Sequence, residues 1–202
     1  MKKLNLFTLG LISISLASCG GEKTEESKEV VLETLKLDTK LSTLTWVGEY
    51  MKGGVFDHSH EGTVVFNSGS VEVADGLIKS GSFELDMNSI YETNAPMKED
   101  LRDDFVEHMK SDEYFDVKKF PTATVTLTEC TKDQINGTMK VKGIEMPFKA
   151  PVTIESDSTS MKISGDFSLS FEPFKMTGIG KGNEPEYVSP NVKFNVALKF
   201  KK

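Results

Sequence analysis

Val192, Phe194, Val196, Leu198 and Phe200 fall on one face of an extended segment, and Asn191, Lys193, Asn195, Ala197 and Lys199 fall on the other. Successive side chains of a strand point to opposite faces, so a repeat of two predicts a half-buried β-strand. An amphipathic helix would place its apolar residues every three to four positions instead. The same repeat runs through Leu44, Trp46, Gly48 and Tyr50, through Phe83, Leu85 and Met87, and through Ala123, Val125 and Leu127. It returns in Met139 and Val141, and in Ile163, Gly165, Phe167, Leu169 and Phe171. Asn67-Ser68-Gly69, Ala74-Asp75-Gly76 and Asn136-Gly137 read as the turns between these runs, because Gly and Asn tolerate positive φ. The fold class is mainly β, with about eight antiparallel strands. That many strands with one apolar face form a sandwich or close into a barrel, and closure removes the exposed edges.

One helix is predicted to interrupt the strands, over about residues 96–111. Pro96 stands where a helix can begin without losing a hydrogen bond, and Leu101, Phe105 and Met109 make an apolar stripe at four-residue spacing. Glu99, Asp100, Asp103, Asp104 and Glu107 occupy the opposite face. They read as a solvated surface with acids near the N-terminus, where the helix dipole favours them.

The N-terminus has a different character. Lys2 and Lys3 precede an apolar run from Leu4 to Leu16 that ends in Leu16-Ala17-Ser18-Cys19. The run is too short and too interrupted to span a bilayer, which takes roughly 20 apolar residues, so residues 1–18 read as a signal peptide. The ending resembles the lipobox of bacterial lipoproteins, which implies acylation of Cys19, palmitate included, and attachment of the mature chain to a membrane. More than one acyl tail holds a protein on a bilayer stably. Residues 19–33 form the lipidated cysteine and a polar, flexible tether, and residues 34–202 the folded domain. The expected location is the cell envelope, at the outer membrane, with the periplasmic and surface sides both open.

The full chain carries a net charge of −7, which becomes −9 once Lys2 and Lys3 leave with the signal peptide. An acidic surface without a basic, aromatic-interleaved patch argues against nucleic acid as a partner. Cys130 has no thiol partner once Cys19 is acylated, so the core must hold the fold without a disulfide.

His108-Met109-Lys110-Ser111-Asp112-Glu113-Tyr114-Phe115-Asp116, followed by Phe120-Pro121-Thr122-Ala123-Thr124, resembles the signature of the YceI-like, polyisoprenoid-binding family. Trp46-Val47-Gly48, His60-Glu61-Gly62-Thr63, the segment from Phe83 to Ile90 and the segment from Gly137 to Gly143 match further family segments in order. The resemblance covers about Leu35 to Phe200. It implies a single eight-stranded, lipocalin-like barrel with a helical insertion and an isoprenoid chain in its interior. An eight-stranded barrel is wide enough for side chains or for one slender ligand. Where the family often carries an arginine and a glycine, this chain has Phe171-Glu172-Pro173-Phe174-Lys175.

The expected ligand, an isoprenoid or other long-chain lipid, would be walled by Trp46, Phe66, Phe83, Leu85, Val125, Leu127, Met139, Phe167, Leu169, Phe194, Val196 and Leu198. The chain then reads as a membrane-anchored carrier, not an enzyme, with neither cofactor nor metal. Two alternatives stand beside it. His58 and His60, two apart on an extended segment, project to one side and with His108 could hold Zn²⁺ for a hydrolase. No acidic general base is tied to them by a motif. The second alternative is a lipid-anchored structural or interaction barrel. A membrane-spanning barrel is disfavoured, because its strands need about 9–11 residues and aromatic girdles.

Overall fold

The computed structural model describes residues 31–202, apart from 95, 96, 129, 181 and 183. The expected signal peptide, Cys19 and most of the tether lie outside the described residues. The elements are β1 (Glu33–Leu37), β2 (Thr43–Lys52), β3 (Val55–Ala74), β4 (Leu77–Glu92), α1 (Glu99–Lys110), β5 (Thr122–Leu127) and β6 (Gln134–Val141). They continue with β7 (Ile144–Pro151), β8 (Thr153–Ser156), β9 (Ser160–Ser170), a 3-10 turn (Glu172–Phe174), β10 (Glu186–Val188) and β11 (Asn191–Lys201). The protein is mainly β, in one antiparallel sheet of eleven strands where eight were expected.

The extra strands arise from breaks rather than from extra layers. β2 pairs with β3, and β3 to β7 pair in succession; β8 follows β7 across Val152 and pairs with β9, which pairs with β11, which pairs with β2. The pairings therefore return to β2. β1 lies between the same two neighbours as β2, bonding β11 at Lys201 and β3 from Ser70 to Val73. Two short strands thus divide one place in the sheet, as β7 and β8 divide another, and β10 adds three residues along β2.

Three tight hairpins join neighbours where two consecutive residues take positive φ: Gly53-Gly54, Asp75-Gly76 and Lys142-Gly143. Only Ala74-Asp75-Gly76 among the expected turns is one of them. Asn67-Ser68-Gly69 lies inside β3 and Asn136-Gly137 inside β6. These glycines serve close packing instead. A Cβ on Gly69 would sit 2.5 Å from the Phe83 ring, and one on Gly137 2.3 Å from the Thr126 carbonyl oxygen. Near Asn67 the β3–β4 register shifts, and the Ser89 hydroxyl stitches the irregular stretch by accepting from Val65 N and donating to the Asp86 carbonyl.

The inner face of the sheet carries the core. Phe83, Leu85, Met87, Ile163, Leu169, Val196, Leu198 and Phe200 are buried, in the alternation expected of them. Cys130 is buried and donates its thiol to the Thr128 carbonyl. Helix α1 begins at Glu99, later than expected, and Pro96 lies outside the described residues. It packs on β4 through buried Val106 and half-buried Phe105 and Met109. Leu101, expected on the apolar stripe with Phe105 and Met109, is exposed, while Arg102 beside it reaches Glu92 of the sheet.

Candidate functional site

Two adjoining apolar chambers occupy the interior. The upper, about 400 Å³, lies under α1, and the lower, about 90 Å³, lies between the strands alone. Leu44, Leu85, Val125, Met139 and Phe194 wall both. Of the residues expected to face a ligand, Trp46, Leu85, Val125, Met139 and Phe194 line the upper chamber. Phe66, Phe83, Leu127, Phe167, Leu169, Val196 and Leu198 line the lower one. All but Phe66 come from the alternating runs, where the face of a residue depends only on the parity of its position.

Alternation could not place the roof. His108, Met109, Tyr114 and Phe115, from the signature segment, close the upper chamber together with Phe105 of α1 and with Phe171, Met176 and Ile179. The local chain explains how they arrive there. α1 stops at Ser111, whose N–H bonds the His108 carbonyl, and Asp116 takes a left-handed conformation that turns the chain back toward β5. The Tyr114 hydroxyl donates to the Gly178 carbonyl at 3.2 Å, so the loop after the 3-10 turn is tied to the same roof.

The rim of the upper chamber is polar and ring-rich, with Glu49, Tyr50, His58, His60, His108 and Tyr114. Tyr50 stacks on His58 at 4.9 Å, His58 meets His60 edge-on at 5.2 Å, and His60 stacks on Phe105 at 4.2 Å. The Tyr50 hydroxyl donates to Glu186, which Lys52 also pairs at 2.9 Å; the two contacts hold the Glu186 carboxyl below its ordinary range and pin β10 to the rim. Burial raises the Tyr114 phenol, and Glu113 beside it adds to the rise.

Beneath the rim is a charge that strand alternation did not single out. Glu92 is fully buried. Arg102 Nε donates to its Oε2 at 3.3 Å, and Arg102 Nη2 also donates to the carbonyls of Asn94 and Met97. His60 Nδ1 lies 3.6 Å from Glu92 Oε1, and neither atom has another partner. Burial and neighbouring His58 lower the His60 pKa, although Glu92 opposes them, so the ring favours its neutral form. The only sequence signal was a glutamate in the apolar phase of β4, visible once the bulge is counted.

The histidines do not form the centre that a zinc hydrolase would need. His58 Nδ1 is bonded to Asp57 at 2.7 Å, His60 faces Glu92, and His108 Nε2 bonds Glu113 at 2.8 Å. Each ring is held by a different carboxylate. Among the described residues no three His, Cys, Asp or Glu side chains converge to hold a metal ion, and no helix is long and apolar enough to cross a membrane.

The match to a family model decides the kinship. The YceI-like domain model fits residues 35–200, nearly the whole described chain. The chain belongs to the YceI-like domain family. That family is known for binding polyisoprenoids. Among solved structures, Burkholderia cenocepacia BcnA is 18% identical with a TM-score of 0.63, aligning 81% of this chain with 98% of that one. A mutant Campylobacter jejuni YceI protein is 16% identical with a TM-score of 0.53, aligning 68% of this chain with 82% of that one. At such identities the likeness establishes the lipocalin-like YceI fold alone. No curated protein sequence matches the chain.

Proposed function

We propose that this YceI-like chain is a membrane-anchored carrier, which holds a polyisoprenoid or similar long-chain amphiphile inside a lipocalin-like barrel closed by the return of the pairings to β2. The observation that carries the reading is the pair of adjoining chambers. The upper chamber alone falls in the range of about 300–1,000 Å³ typical of ligand pockets. The lower one is lined almost wholly by apolar side chains and lies where a chain end would be driest. Each CH₂ taken from water into such a space recovers about 0.8 kcal/mol, so an acyl or prenyl chain could leave its bilayer without facing the solvent. Acylation at Cys19 would keep the carrier at the outer membrane, on its periplasmic or its surface side, and would leave the domain on a polar tether.

Native mass spectrometry of the protein extracted from its own cells should find a co-purifying lipid of long chain. The partner experiment blocks the passage between chambers. Val125 is half-buried and walls both, so Val125→Trp should abolish uptake of a fluorescent long-chain probe while leaving the melting temperature close to wild type. A wild-type protein that takes up no probe, with a Val125→Trp variant that melts much lower, would leave a lipid-anchored structural barrel in place of a carrier.

A further inference from the structure

The head of a bound amphiphile would lie at the polar rim, and the rim has a definite chemistry. Among the described residues the upper chamber is lined by one carboxylate, Glu49, and by no lysine or arginine. Three cations around the rim are engaged. Lys193 is bonded to Glu49, Lys52 is paired with Glu186, and Arg102 is spent on Glu92 and two carbonyls. A phosphate or diphosphate head entering here would meet a carboxylate and aromatic rings. It would lose its hydration without gaining a charge-assisted hydrogen bond.

His60 is the polar group oriented for something else. Its ring is clamped flat against Phe105, and its Nδ1 faces a carboxylate that has no other acceptor duty on that oxygen. At 3.6 Å the two atoms are not hydrogen-bonded, but an acceptor facing Nδ1 favours the tautomer that carries the proton there. Nε2 is then left as a lone pair, with no partner among the described residues, on a ring that lines the chamber. Arg102 donates to the other oxygen of that carboxylate and holds it in place from the helix side. The charged and titratable neighbours of His60 are His58 on β3, Glu92 on β4 and Arg102 on α1; its partner on β2, Gly48, contributes none.

We propose that His60 Nε2 is the acceptor for the hydroxyl of a neutral long-chain alcohol or phenol, with Glu92 and Arg102 as positioning residues, and that the rim refuses anionic diphosphate heads. The inference rests on the carrier reading above and adds the head-group class to it. The test uses the whole domain and three ligands of one chain length: geranylgeraniol, its methyl ether and geranylgeranyl diphosphate, each competing with a fluorescent naphthylamine probe. The alcohol should bind about tenfold tighter than the ether, the size of one hydrogen bond, and the diphosphate should bind weakest. His60→Phe, which keeps a ring against Phe105, should bring alcohol and ether to the same affinity. Should that variant fail to fold, acidification of the wild type serves the same end. Protonated Nε2 becomes a donor, which the ether oxygen can also accept, so the gap closes. Equal binding of alcohol and ether by the wild type, or tighter binding of the diphosphate, overturns the head-group assignment and leaves the carrier standing. Failure of the probe to bind at all removes both.

Discussion

The upper and lower chambers share five wall residues and the same strands, yet they are made of different chemistry. The lower chamber is closed by strands only, and Phe83 at its wall meets Phe66 and Phe200 edge to face at 6.2 Å each. Its empty space is a quarter of that above it. In the upper chamber about a third of the wall comes from α1, the segment after it and the loop near the 3-10 turn, which bring rings and, through Arg102, one side of a buried ion pair. The sheet supplies packing and hence stability. The insertion closes the upper chamber, and β2 and β3 bring most of its polar rim, Glu49, Tyr50, His58 and His60. A protein that divides its labour in this way should respond to substitution differently at its two ends.

The largest effect is expected from truncation in the lower chamber. Phe83 is buried between two other rings, so Phe83→Ala should cost about 3–5 kcal/mol in urea unfolding. Phe105→Ala, at the half-buried roof, should cost less than half of that, because the space it vacates joins a cavity that already exists. Equal losses would mean that the roof is as much a structural core as the strands are. The next effect comes from enlargement. Leu127→Trp must fit into a lower chamber of about 90 Å³ and should cost about 1–3 kcal/mol, whereas Val192→Trp projects into the upper one and should change stability little while displacing a bound probe. Opposite outcomes would show that the upper space collapses readily and is not a preformed site.

The smallest effect is a response to acid that belongs to the upper chamber alone. The His60 pKa is lowered from 6.5 in the folded protein, so the unfolded chain binds a proton first as pH falls. Stability is therefore unchanged above about pH 6.5, declines between that value and the lower folded one, and is level again beneath it. His60→Phe should remove that component from the pH profile of unfolding. An unchanged profile in the variant would assign the acid sensitivity to other groups.

The strand faces were legible in the sequence because parity is a local property. Phe194, Val196 and Leu198 needed no knowledge of their neighbours, and they occur where the repeat of two puts them. Glycine was legible only in part. At Asp75-Gly76 it makes a turn, while at Gly69 and Gly137 it admits a ring and a carbonyl from adjacent strands, and a single sequence does not distinguish the two uses. The strand number was misjudged because a break such as Val152 interrupts hydrogen bonding without changing direction. Glu92 and Arg102 were invisible as a pair for a related reason. Glu92 shares its register with Gly62 across a bulged sheet, and Arg102 reaches it from the first turn of a helix whose Leu101 is exposed. Contacts of that kind depend on three elements meeting, and no one of them carries the information.

The run of β3 separates two poles of the molecule. At one end Glu33, where the chain enters the sheet, is paired with Val73; at the other, the Gly53-Gly54 hairpin and His58 border the rim of the upper chamber. A lipid on Cys19 would therefore hold the domain by its base, with the opening directed away from the bilayer that anchors it.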